Sequence, residues 1–251
     1  EYAENSELNI IVIKNDKNGG PGYSRNNGIK YATGDYFTFV DSDDYLSDDF
    51  STIIAPYLAE EYDCVIFDYA NVDENGTVLS YGKSIGGKNI QPGNLEPKTA
   101  FVYTYGSTCG KIYKKELVVN NDIRFGELFR NDDMLFTKAA IALSERVYYC
   151  NKCLYMYVQH SNSLMHNESL INEQNSQIVF SLLSEKLQGR GFEEELLALE
   201  LREVLNNTVL IKVAKKESRK DITQFIRLKY KKEHFKNKYF SDQPTYLKII
   251  S

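Results

Sequence analysis

The chain has 251 residues, 42% of them hydrophobic and 26% charged, with a formal net charge of −5. That length suits one large domain or one domain with an extension. The acidic balance gives no reason to expect nucleic-acid binding, and no apolar run approaches the roughly 20 residues that span a bilayer.

Glu1-Tyr2-Ala3-Glu4 lacks the basic start and apolar core of a signal peptide. Residues 1–16 read as the tail of a helix followed by a strand, Ile10 to Ile13. The Gly/Pro-rich "GGPG" then turns into a short helix with Tyr23, Ile29 and Tyr31 as its apolar positions. Tyr36–Val40 follows as a strand, and its near-continuous hydrophobicity predicts burial on both faces. Ser47 is the expected N-cap of a helix over 48–60, with Asp48 and Asp49 in the first turn.

"CVIFDYANVD" reads as a strand, and Asn75-Gly76 as a hairpin turn into "TVLSYG". Residues 82–94, rich in Gly, Lys and Asn, read as a loop. "TCGKIYKKELV" suggests a short strand running into a helix, and a second helix opens near Asn131. Strands are expected at Val147–Tyr149 and Leu154–Val158. The four cysteines make no disulfide framework. The Cys150-x-x-Cys153 pair has neither a second ligand pair for zinc nor a helix start for redox work, so it reads as half-buried thiols in a reducing cytoplasm. From about Leu170 the spacing is helical. Strands alternating with helices imply an α/β domain over 1–168 with a mostly parallel sheet flanked by helices, and 169–251 a helical C-terminal extension.

The informative chemistry lies where the strand Tyr36–Val40 ends in Asp41-Ser42-Asp43-Asp44. Such acids repel one another unless a cation sits among them. In an extended chain Asp41 and Asp43 face one side, and two hard oxygen ligands suit Mg²⁺ or Mn²⁺. The alternative is a set of turn and cap formers. An EF-hand calcium loop fails for want of its central glycine and twelfth-position Glu.

"NGGPGYSRNNGIKYATGDYFTFVDSDDYLSDDF" resembles the family 2 glycosyltransferases of the GT-A fold, whose consensus runs NxGxxxARNxGIxxAxGxYIxFxDxDD. Asn18, Gly20, Arg25-Asn26, Gly28-Ile29, Ala32, Gly34, Tyr36, Phe39, Asp41 and Asp43-Asp44 fall in the same order at matching spacing. The resemblance implies that Asp43 ligates a metal on a nucleotide diphosphate, with Asp41 beside it. It also implies that Arg25 and Asn26 belong to the nucleotide-sugar site. Read from its own chemistry, Arg25 fits phosphate oxygens or a structural ion pair with Asp35 or Asp44.

"RFGELFRNDDMLF" resembles the family's EDxxF segment, which makes Asp133, or its neighbour Asp132, the base for the acceptor hydroxyl; the plain alternative is a helix N-terminus. "YMYVQHSNS" is similar to the ending of the family's catalytic domain, which would bring His160 to the metal, and Lys111 matches a lysine common near the acceptor side. The resemblance also implies one or two preceding β-α units outside this chain, without which it is expected to be inactive and to self-associate.

The reading that follows is a metal-dependent hexosyltransferase, inverting as the resemblance implies, moving sugar from a nucleoside-diphosphate sugar, foremost a UDP-sugar, to a glycan or lipid-linked acceptor. The alternatives are a non-catalytic nucleotide- or glycan-binding module and a sugar nucleotidylyltransferase. The basic stretch Lys212–Lys238, with Ile222, Phe225, Ile226 and Tyr230 at helical spacing, suggests peripheral contact with the inner face of a membrane or a solvated face.

Overall fold

The computed structural model describes residues 9–87, 90–126, 132–160, 173–203 and 218–239. The elements in order are α1 (Gly20–Tyr31), β1 (Tyr36–Thr38), β2 (Tyr45–Leu46), α2 (Phe50–Ala59), β3 (Cys64–Val72), β4 (Val78–Gly82), β5 (Gly93–Leu95), α3 (Pro97–Tyr103), β6 (Lys111–Lys114), α4 (Lys115–Asn120), α5 (Asp132–Leu143) and β7 (Val147–Val158). Then come α6 (Glu173–Lys186), α7 (Glu193–Glu203), α8 (Arg219–Lys229) and a 3-10 turn at Lys232–Lys236.

The sheet runs β1-β6-β3-β7-β2, with β4 on β3 and β5 on β7. It is mixed rather than mostly parallel. β3 and β7 pair parallel, whereas β6 runs antiparallel to both β1 and β3. β1, β3 and β7 therefore share one direction, so the strand–helix alternation in the sequence was read correctly for them; β6 is inserted against it. β7 is one strand, not two: its register against β3 jumps from Cys150 opposite Phe67 to Cys153 opposite Asp68, so Asn151 and Lys152 bulge out. Both thiols are free, Cys150 buried and Cys153 half-buried.

β3 carries the core on both faces. Cys64 and Ile66 point to the cluster formed with α3, α5 and α6, while Val65 and Phe67 point to the cluster under α2. Val179, Leu183, Phe192 and Leu199 belong to the same cluster as Phe101, Phe136 and Ala140, so α6 and α7 share the core of the α/β domain. The C-terminal carbonyls of α3 are covered by cations from two other helices. Buried Lys138 of α5 donates to Phe101 O and Thr104 O, and Arg202 of α7 donates to Val102 O at 3.0 Å. Burial pushes the Lys138 ammonium well below its ordinary pKa.

Several local expectations change. Residues 9–15 form no strand, and Ile11 and Val12 are exposed. β1 is only half-buried, with Val40 exposed beyond it. Ser47 does not cap α2; its hydroxyl donates to Asp49, and the helix begins after Asp49. Residues 82–94 are more than a loop, since Ile85 bridges Thr104 and β5 lies within them. In α8, Ile226 and Tyr230 are buried in the protein while Leu228 is exposed; residues 204–217 of the basic stretch lie outside the described residues.

Candidate active site

The site is built on an aromatic floor. Phe125 stacks on Phe136 of α5 with centroids 4.3 Å apart, and Phe39 meets both edge-on. Arg25, from the middle of α1, lays its guanidinium over the Phe125 and Phe39 rings at 5.5 and 5.9 Å. One nitrogen of its fork donates to Asp41 at 2.7 Å and the other to Asp133 at 2.6 Å. The turn that follows β1 and the second residue of α5 are thus tied together by one cation.

Asp133 keeps 31% of its side chain exposed, yet burial among these neighbours pushes its carboxyl up to about 6, against the opposing pull of Arg25. The N-terminus of α5 does not hold it low, because desolvation outweighs the charge and dipole effects there. Thr108 approaches the other carboxylate oxygen at 3.5 Å. Asp132 is a different kind of acid. It is buried, its Oδ1 accepts from the Asp133 N–H at 3.0 Å, and it does not line the cleft. Its close fit depends on Gly22, where a Cβ would lie 2.1 Å from Asp132 Oδ2 and 2.9 Å from Phe125 Cβ. Gly22 is therefore a packing position inside α1, not only part of a turn.

Asp41 and Asp43 do not project together. Residues 41–44 form a turn closed by the Asp44 N–H donating to Asp41 O at 3.1 Å, so the alternation of an extended strand does not apply. Asp41 and Asp44 line the cleft and Asp43 is exposed on the turn between them. Asp44 is already occupied: it accepts from Tyr155 Oη at 2.6 Å and from the Val158 N–H at 2.9 Å. Burial nonetheless raises its pKa. Asp41 Oδ2 faces the Cys109 thiol at 3.6 Å.

Three other expected site residues do different work. Asn26 spends both ends on the backbone of Phe125, its amide donating to Phe125 O and its carbonyl accepting from the Phe125 N–H, each at 3.0 Å. Lys111 is fully buried beneath the cleft and donates to Ser107 O at 2.6 Å and Cys109 O at 3.1 Å, with burial pushing it down to about 8. His160 does not line the cleft; its Nδ1 lies 3.1 Å from Glu74.

The cleft itself holds about 500 Å³. Beyond the acids it is lined by Tyr69, Tyr105, Tyr155 and Tyr157 with Lys83; of these, Tyr155 and Tyr157 belong to the YMYVQHSNS segment, and no motif in the sequence singles out the other three. Among the described residues no three His, Cys, Asp or Glu side chains gather into a closed metal cage. A magnesium-type ion carried mainly by phosphate oxygens and water needs only one or two carboxylates, and Asp41, which lines the cleft, fits that kind of site by donor chemistry, with Asp43 exposed on the turn beside it.

Comparison with known proteins follows the same stretch of chain. The sequence model of glycosyl transferase family 2 matches residues 1–119. Over that stretch the chain is similar to family 2. The poly(ribitol-phosphate) β-N-acetylglucosaminyltransferase TarS of Staphylococcus aureus is 28% identical over 192 residues, 75% of this chain and 32% of the relative. The putative glycosyltransferase EpsH of Bacillus subtilis is 28% identical over 174 residues, 66% of this chain and 48% of its own length. The chain thus spans a third to a half of the length of these relatives. In fold it matches S. aureus TarS 1–349, crystallised in complex with UDP-GlcNAc, with a TM-score of 0.69 at 22% identity, covering 99% of this chain and 69% of that one. The fold is GT-A.

Proposed function

We propose that this chain carries a glycosyltransferase that moves a sugar, foremost from a UDP-sugar, to a hydroxyl of a glycan or lipid-linked glycan. The observation that carries this reading is the pairing of Asp41 and Asp133 in the cleft through Arg25, with Asp133 poised at about 6. A base works best when its pKa lies near the working pH. The acceptor oxygen attacks the anomeric carbon, its proton passes to Asp133, and the bond to the diphosphate breaks with its electron pair leaving on the nucleoside diphosphate. One such in-line displacement inverts the anomeric centre.

Asp43 and Asp41 are the residues that would hold Mg²⁺ or Mn²⁺, which would supply charge to stabilise the leaving diphosphate. Arg25 keeps the two acids from repelling each other, and Lys111 fixes the loop carrying Thr108 and Cys109. The structural neighbours crystallised with UDP and UDP-GlcNAc support the choice of donor. Membrane contact for a lipid-linked acceptor would fall to the basic surface of α8 beside exposed Leu228; no helix among the described residues is long and apolar enough to cross a membrane.

The test is incubation of the complete gene product with UDP-, GDP- and dTDP-sugars plus Mn²⁺ and a glycan acceptor. Nucleoside diphosphate should be released from one donor, and Asp133→Asn should abolish that release. Binding without release would leave a binding module, and pyrophosphate formation with a nucleoside triphosphate would mean nucleotidyl transfer instead.

A further inference from the structure

The cleft has two unlike walls. On one side stand the acids, and each has its partner: Arg25 for Asp41 and Asp133, Tyr155 and the Val158 N–H for Asp44. Lys111, below, is spent on two carbonyls. The opposite side is built from β3, β4, β7 and the chain after α3, and it presents tyrosine rings and one cation.

Those rings are held in place by the fold. Tyr69 pairs with Gly82 across β3 and β4, and a Cβ at position 82 would lie 2.1 Å from Tyr69 Cζ, so the ring lies across the glycine. Tyr157 meets Tyr69 edge-on at 6.5 Å and 88°. Tyr105, 48% exposed, has the Arg202 guanidinium over its ring at 5.2 Å. Ordering these side chains is therefore done before any ligand arrives, which lowers the cost of binding.

Lys83 follows Gly82 directly and is exposed in the cleft. Among the described residues it makes no hydrogen bond or ion pair. The carboxylate nearest it in effect is buried Asp68, whose oxygens already accept from the Ser84 N–H at 2.9 Å and Tyr149 Oη at 2.8 Å. Rigid tyrosines offer an apolar ring face and a hydroxyl edge, which suits the C–H faces and hydroxyls of a sugar or polyol. A lysine beside them with no hydrogen bond or ion pair among the described residues suits an anion.

We propose that Tyr69, Tyr105 and Tyr157 with Lys83 form the acceptor subsite, and that it takes a polyhydroxylated chain bearing anionic groups, phosphate or carboxylate. The proposal rests on the transferase reading and adds the charge class of its acceptor. A neutral glycan would leave Lys83 with nothing to pair.

The test is titration of the full chain with ribitol 5-phosphate against ribitol, and with glucuronate against glucose, followed by NMR. At least one anionic probe should bind about tenfold more tightly than its neutral counterpart, as expected for one charge-assisted contact. The pair that shows the preference identifies phosphate or carboxylate as the source. Lys83→Ala should collapse the preference to near one, Lys83→Arg should keep it, and Tyr69→Ala should weaken anionic and neutral probes alike. Equal binding within both pairs, no binding of any probe, or a preference that survives in Lys83→Ala would overturn the subsite. Titration with UDP-GlcNAc in parallel separates the two readings, since failure there alone removes the donor and leaves the acceptor wall standing.

Discussion

Arg25 and Asp133 lie 108 residues apart in the chain and meet at 2.6 Å in the cleft. The same guanidinium reaches Asp41, so one cation joins the turn after β1 to the first turn of α5. Two carboxylates at a donor site would otherwise push each other apart and drive up each other's pKa. Arg25 pulls the Asp133 carboxyl down and holds Asp41 close beside it.

Replacing Arg25 with alanine should lower kcat/KM by about 10- to 100-fold, the scale of a lost hydrogen-bonded charge pair. Because Arg25 pulls the Asp133 pKa down, its removal should also move the acidic limb of the pH–rate profile to higher pH. A profile that stayed in place would show that Arg25 does not act on Asp133.

In the unaltered protein that limb should fall at about pH 6, with kcat/KM rising as Asp133 loses its proton. Asp133→Asn should remove the limb and about 10²- to 10⁴-fold of the rate. Stability moves the opposite way. The folded carboxyl holds its proton at pH values where the unfolded one has lost it, so this contribution is complete below the ordinary carboxyl range and declines as pH rises through about 6. Thermal melts of the two proteins across pH 4 to 7 should converge at the acidic end and diverge above it.

Asn26→Ala should act mainly on stability. It strands an N–H and a carbonyl of Phe125, at a cost of about 1 to 3 kcal/mol, and the melting temperature should fall at every pH. If the variant melts normally but loses nucleotide affinity, Asn26 contacts the ligand after all.

A methyl group on Gly22 should be poorly tolerated. Gly22→Ala drives a Cβ into Asp132 and Phe125, and overpacking of this kind costs about 1 to 3 kcal/mol. Gly28→Ala, where a Cβ would meet nothing within 4 Å, is the control and should be neutral or slightly stabilising.

The sequence showed the parts of this site more clearly than their arrangement. α5 opens at Asp132-Asp133 as its acids foretell, and the strand–helix pair at Lys111–Asn120 is where its pattern placed it. What pattern does not carry is long-range pairing. Arg25 was expected at phosphate or at Asp35 or Asp44, and its partners are Asp41 and Asp133 because α1 and α5 meet over Phe125. Whether four residues such as 41–44 run extended or turn is settled by one backbone hydrogen bond, which leaves no periodic trace. Lys111 was expected near the acceptor side; its burial follows from neighbours brought in by β3 and β1. The tyrosine wall gathers side chains from separate elements, and no spacing in the chain announces it.

The central claim is that this cleft holds a nucleoside diphosphate through a cation at the 41–44 turn. Calorimetric titration of the full chain with UDP, with and without Mn²⁺, in the unaltered protein and in Asp41→Asn tests it most directly. The account predicts Mn²⁺-dependent binding that Asp41→Asn weakens at least about tenfold. Binding of equal strength without the metal and in Asp41→Asn would contradict it.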